Sequence, residues 1–215
     1  MTKLQASART PANPLTPLVG WALALGALSF LVERGALVSV DHHVASWVAT
    51  LRSPSLDGSV QLVTFFGGSK WTLLALAGLG VLAWRRRGGP AVLILIGAFA
   101  IAALMEVALR LSIPQWRPDA LTVPASMDLA MRFELAGFPS GHGFRSAFVF
   151  GWLARELKGS RLSLFVCLVI IGLVGASRLY LNRHWASDVL GGWLVALVAL
   201  SLARVWEQRF YKHAS

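Results

Sequence analysis

Acidic side chains are scarce in this chain: ten Asp and Glu stand against twenty Lys and Arg, and charged residues make up only 14% of its 215 positions. An ordinary soluble domain carries about 25% charged residues. Cysteine is limited to Cys167, which excludes an intrachain disulfide and any cysteine-rich metal site. The low hydrophobicity of a disordered chain is missing too, because 56% of the residues are hydrophobic. A soluble enzyme of this composition has too much apolar surface to hide. A formal charge of +10 invites a nucleic-acid reading, but that needs a soluble basic face, and little polar surface is left to build one. Few charges with a positive excess describe a membrane protein with basic loops, and no nucleic-acid partner is expected.

Uncharged runs supply the membrane segments. They cover residues 10–32, 71–84, 90–105, 146–154, 162–177 and 189–203. Several fall short of the ~20 residues a span usually needs. Their flanks are Arg, Trp and Lys, which snorkel or sit at the interface. The expected fold is therefore all-α, a six-transmembrane helix bundle in a single domain over 18–206, with cytoplasmic tails at 1–17 and 207–215. The run at 10–32 reads as the first membrane helix and not as a cleaved leader, because no small-residue cleavage site follows it. The 33–69 linker should hold an amphipathic interfacial segment at 44–51 and a turn at Ser53-Pro54. In the 113–139 loop, Met127, Ala130, Met131, Leu135 and Phe138 fall near helical spacing, which predicts a short surface helix.

Lys and Arg divide eleven to nine between the two sides when the N-terminus is placed in the cytoplasm. The clusters decide better than the count. Arg85-Arg86-Arg87 and Arg155/Lys158/Arg161 fall in short loops on one side, which is taken as inside.

Three polar clusters then fall on the outer side. Arg110 ends the third helix, with Arg117-Pro118 just beyond it. Pro139-Ser140-Gly141-His142 precedes the fourth helix. Ser177-Arg178, His184 and Asp188 join the fifth helix to the sixth. Charged groups at membrane depth are costly, and they mark a functional site by default. Three guanidiniums with few carboxylates suit a multiply charged oxyanion. Ser140 offers a hydroxyl, and Gly141 lets a backbone N–H approach an anion at a helix start. His184 and Asp188 are four apart, so the carboxylate can hold one imidazole nitrogen and leave the other as a nucleophile. His142, on a separate segment, is placed to protonate a leaving oxygen.

These residues resemble the type-2 phosphatidic acid phosphatase superfamily, which also includes vanadium haloperoxidases. The family pattern has Lys, six residues, Arg-Pro; then Pro-Ser-Gly-His; then Ser-Arg, five residues, His, three residues, Asp. Arg117-Pro118, Pro139-Ser140-Gly141-His142 and Ser177-Arg178…His184…Asp188 match it in order and spacing, within a likeness covering roughly 58–205. One departure is Arg110, which stands where the family usually has lysine. It keeps the charge but changes the geometry. The resemblance implies catalysis by His184, His142 and Asp188, with His184 forming a phosphohistidine. It implies phosphate binding by Arg110, Arg117, Arg178, Ser140 and Gly141. The arginines replace a metal, so no metal or cofactor is expected.

The implied protein is a multi-pass lipid phosphatase of the cell (inner) membrane, with its active site at the extracytoplasmic helix ends. Its partners are the bilayer and a lipid phosphate: phosphatidic acid, phosphatidylglycerophosphate or undecaprenyl diphosphate. A lipid phosphotransferase using the same pocket is the alternative, and a non-enzymatic anion transporter a weaker one. A vanadate-dependent peroxidase is disfavoured, since those relatives are soluble and larger.

Other residues have plainer readings. Asp41-His42-His43 lacks further metal ligands and reads as an interfacial loop. Glu106 should pair with Arg110 one helical turn away. Arg145 either assists the headgroup or anchors its helix. Arg183 should be exposed, the tryptophans should form interface belts, and Cys167 should be packing.

Overall fold

The computed structural model describes residues 13–120, 124, 126–157 and 160–212. Residues 1–12 of the expected tail with Lys3 and Arg9, together with Lys158 and 213–215, lie outside the described residues. Nine helices are present among those described: α1 (Leu15–Glu33), α2 (Val38–Ala49), α3 (Pro54–Phe65), α4 (Ser69–Arg87), α5 (Gly89–Ser112), α6 (Leu129–Leu135), α7 (Gly141–Glu156), α8 (Arg161–Tyr180) and α9 (Ala186–Lys212). The six uncharged runs become α1, α4, α5, α7, α8 and α9. Helix α9 continues to Lys212, into the stretch expected to be tail.

Four of these helices, α1, α5, α8 and α9, are long and apolar enough to cross a membrane, and α3 with α4, bent by 43° at their junction, is long and apolar enough only when the two are taken together. Helix α7 has only 16 residues, roughly 24 Å at 1.5 Å per residue. It is the sixth helix of the bundle, and its length follows from its place. Phe144, Phe148 and Trp152 are all but fully buried against α5 and α9, so α7 is wrapped by its neighbours. Trp152 therefore leaves the expected interface belt, while Trp21, Trp47 and Trp84 are exposed.

The apolar residues on the outside are large. Leu23, Leu73, Leu93, Leu104, Leu162 and Phe165 all face outward, a coat that suits lipid and not water. Inside, α5 and α9, which pack together, place Ala98, Ala102, Ala196, Ala199 and Ala203 in the buried core. Small side chains let helix backbones approach closely where hydrophobic burial gives little drive. Gly192 shows how close: a Cβ there would sit 2.4 Å from the carbonyl oxygen of Ser140 and 2.8 Å from the amide of Phe144. Helix α9 thus passes directly against the start of α7.

The 33–69 linker is more ordered than its sequence suggests. Asp41-His42-His43 lies within helix α2, not in a loop, and α3 forms with Pro54 at its first turn. The Ser53-Pro54 turn is tied to the end of α8. The Tyr180 hydroxyl donates toward Asp57 (2.8 Å) and accepts from the Ser53 amide (2.8 Å), while Arg52 Nε donates to the Tyr180 carbonyl (2.8 Å). The predicted surface helix appears as α6, capped by Asp128, whose carboxylate accepts from the Met131 amide at 2.7 Å.

Candidate active site

Three chain segments meet at one end of the bundle. The C-terminal end of α5 carries Arg110, and the following loop carries Arg117. The N-terminus of α7 carries Ser140, Gly141 and His142. The α8–α9 junction carries Arg178, His184 and Asp188. Backbone bonds lock them together. The Ser140 amide donates to the Asp188 carbonyl (2.8 Å), the Arg117 amide to the Leu135 carbonyl (3.0 Å), and the Gly137 amide to the Gln115 carbonyl (2.7 Å). All eight residues singled out by the motifs are thereby brought to this one end.

His184 lies in the turn just before α9. Its Nδ1 is 3.2 Å from Asp188 Oδ2, which also accepts the Trp185 amide at 2.9 Å. With Nδ1 donating to the carboxylate, Nε2 keeps its lone pair. Asp188 is fully buried, and its other oxygen accepts from Gln115 Nε2 at 2.7 Å. Burial, then the charges of Arg178, Arg117 and Arg110, hold the His184 imidazole well below its usual pKa of 6.5. A neutral imidazole amid guanidiniums is an available nucleophile. His142 shares the pocket with His184, and its charged neighbours are Arg178, Arg145 and Arg117.

The arginines are held by their edges. Arg110 Nη2 donates to Glu106 Oε1 and to the Pro139 carbonyl, both at 2.9 Å, and its guanidinium lies 4.7 Å from the centre of the Phe133 ring. Arg178 Nη1 donates to Thr64 Oγ1 at 2.8 Å. In all three of Arg110, Arg117 and Arg178 the Nε is buried and has no partner. A buried donor left unmade costs about 1–3 kcal/mol, so three together leave room for hydrogen-bond acceptors that the protein itself does not supply. Burial and the nearby Arg110 charge also lower the Arg117 pKa below the usual guanidinium value.

Ser140 caps α7: its Oγ accepts from the Gly143 amide at 3.3 Å, and the hydroxyl proton remains free to donate. Gly141 has a second reason to be glycine. A Cβ there would lie 2.4 Å from Glu106 Oε1 and 2.8 Å from Arg145 Nη2. The Glu106 pairing expected from the sequence is present, and Arg145 joins it at 3.6 Å while donating to the Gly67 carbonyl at 3.1 Å. Arg183 is half exposed and pairs with Asp119 at 2.8 Å.

Sequence reasoning missed Thr64, Phe133, Gln115 and Asp41. None is a residue that the family pattern specifies, and each reaches the site by a contact distant along the chain. Among the described residues no three His, Cys, Asp or Glu side chains are grouped to hold a metal. Asp41 is committed to Ser187, His43 Nδ1 donates to the Ser39 carbonyl at 2.7 Å, and the His42 ring lies 4.8 Å from that of Trp185.

Comparison with known proteins gives a consistent likeness. Residues 91–212 match the profile of the PAP2 superfamily. The chain is 26% identical over 192 residues to phosphatidylglycerophosphatase B of Bacillus subtilis (strain 168), covering 85% of this chain and 90% of that protein. A shorter match, 36% identical over 85 residues, covers 33% of this chain and 23% of a PA-phosphatase related-family protein of Dictyostelium discoideum. Among solved structures, a transmembrane PAP2-type phosphatidylglycerolphosphate phosphatase from Bacillus subtilis superposes with a TM-score of 0.74 at 25% identity, covering 90% of this chain and 96% of the other. Aquifex aeolicus LpxE shares the fold, with a TM-score of 0.58 at 22% identity over 74% of this chain and 93% of its own.

Proposed function

The chain belongs to the PAP2 superfamily, and from that premise we propose that it is an integral-membrane lipid phosphatase working through a phosphohistidine on His184. The supporting observation is the pairing of His184 with Asp188 beside three arginines that each keep a buried, unpartnered Nε. A transporter has use for the arginines but none for an oriented imidazole.

Chemistry follows from the positions. His184 Nε2 attacks phosphorus as the bond to the ester oxygen breaks, and His142 gives its proton to the departing oxygen. Water then attacks phosphorus as the bond to His184 Nε2 breaks and returns its electron pair to that nitrogen, with His142 taking the water proton, and inorganic phosphate leaves. Arg110, Arg117, Arg178, the Ser140 hydroxyl and the Gly141 amide hold the phosphoryl oxygens and the charge that builds on them. The full-length likeness to phosphatidylglycerophosphatase B favours phosphatidylglycerophosphate over phosphatidic acid or a polyprenyl diphosphate.

The catalytic end is proposed to face outward. Arg85, Arg86, Arg87, Arg155, Arg161, Arg204 and Arg209 sit at or near the opposite helix ends, and basic loops stay inside.

Purified protein should release phosphate from phosphatidylglycerophosphate in the presence of a chelator, and His184→Ala should abolish that release. Activity that needs added Mg²⁺, or that survives His184→Ala in folded protein, overturns the mechanism. Transfer of the phosphate into a new phospholipid would instead establish the phosphotransferase.

A further inference from the structure

Asp188 has a support that is not among the residues the three motifs specify. Gln115, in the loop after α5, uses one amide nitrogen for two bonds: to Asp188 Oδ1 at 2.7 Å and to Ser187 Oγ at 2.9 Å. Since Ser187 Oγ accepts from Gln115, it donates its own proton to Asp41 Oδ2 at 2.6 Å, and the Ser187 amide donates to Asp41 Oδ1 at 2.9 Å. Asp41 belongs to α2 and is 5% exposed, with no cationic partner among the described residues. The first turn of α9 leaves backbone N–H groups without intrahelical acceptors. Asp41 satisfies one of them from another helix, and the positive end of α9 suits its charge.

We propose that Gln115, backed by Ser187 and Asp41, is a positioning residue that fixes the Asp188 carboxylate and through it the His184 imidazole. This rests on the reading of His184 as nucleophile. The two protons of the amide nitrogen are both committed, so the Gln115 side chain has one orientation that serves both acceptors. The Gln115 backbone is pinned as well, because its carbonyl accepts the Gly137 amide. Without Gln115, Asp188 Oδ1 is a fully buried carboxylate oxygen lacking its donor, and the carboxylate is free to turn away from Nδ1. The chain of bonds also makes helix α2 part of the nucleophile's mounting, although α2 carries no residue of the motifs.

The test is a double-mutant cycle on kcat and KM with a short-chain lipid phosphate, using Gln115→Leu, Asp188→Asn and the pair. Gln115→Leu should lower kcat about 10- to 100-fold with KM within about twofold, because the arginines are untouched. In the Asp188→Asn background the same change should cost less than about twofold. Asp41→Asn keeps an acceptor for the Ser187 amide and should lower kcat less than Gln115→Leu does. Multiplying effects, or a matched rise in KM, overturn the proposal. A second readout is independent of turnover. The His184 Nδ1 proton resonance, identified by its loss in His184→Ala, should move upfield in Gln115→Leu. An unmoved resonance in folded protein overturns the positioning role even if kcat falls. A wild-type protein that cleaves no lipid phosphate overturns the phosphatase reading, while the resonance still decides the role of Gln115.

Discussion

At one end of the bundle Arg110, Arg117 and Arg178 crowd around His184; at the other, Arg86, Arg87 and Arg155 crowd around Glu156 and Glu207. At the second end these three arginines each have a carboxylate: Arg86 and Arg87 reach Glu156, Arg87 also reaches Glu207 at 2.7 Å, and Arg155 meets Glu207. Of the three at the first end only Arg110 has one, Glu106 at 2.9 Å. Arg117 and Arg178 have none among the described residues, and burial pushes the Arg117 pKa down. One residue type thus does two jobs, and the supply of carboxylates separates them. Paired arginines close the ends of α4, α7 and α9 onto each other. Unpaired ones carry a charge that the proposed function assigns to a ligand.

The contrast is broken most directly by removing one charge from each end. Arg178→Gln should cut kcat about 10²- to 10³-fold, the usual cost of one transition-state donor. Its thermal midpoint in detergent should hold, because the charge removed is buried without a carboxylate. A variant that unfolds while its folded fraction keeps full activity would erase the distinction between the two ends. The opposite change is Glu156→Gln. Glu156 is 5% exposed and serves Arg86, Arg87 and the Trp152 indole, the last at 3.1 Å. Losing it should cost about 1–3 kcal/mol of stability, less than a fully buried pair because both arginines are partly exposed. Here kcat should stay within about twofold. Thermal unfolding and phosphate release, measured on the same samples, check both.

Much of this arrangement was legible in the chain. Uncharged runs located all six bundle helices, and the order and spacing of the three polar clusters identified the residues that converge. Short-range geometry explains that success: Glu106 with Arg110 and His184 with Asp188 are one helical turn apart, so the sequence states the contact. Contacts between distant segments are different. Thr64 reaches Arg178 across 114 positions and Asp41 reaches Ser187 across 146, and no periodicity encodes such pairs. Helix α3 escaped notice because Ser55, Asp57, Gly58 and Ser59 interrupt its apolar pattern, and the helix is held by its contacts to α8. The basic cluster at 85–87 was read as topology alone. Its pairing with Glu156 and Glu207 needed three helix ends in one place.

The smallest effect sharpens the comparison through pH. His184 is held well below 6.5 by burial and by Arg178, Arg117 and Arg110, so it stays neutral in the folded protein while an unfolded chain binds a proton near pH 6.5. Above that pH both states are neutral and stability is complete. Below it only the unfolded state gains a proton, so stability falls as the solution becomes more acid. The loss from this one residue is about 0.8 kcal/mol at pH 6 and approaches about 1.4 kcal/mol for each further pH unit until the folded group itself titrates. Denaturant unfolding of wild type and His184→Phe at pH 7.5, 6.5 and 5.5 isolates the term, because the other ionisable groups are shared. The wild type should lose more stability on acidification than the variant. Equal slopes would mean that His184 takes up its proton in the folded state despite the three arginines, and the catalytic end would then carry no uncompensated positive field to distinguish it from the paired one.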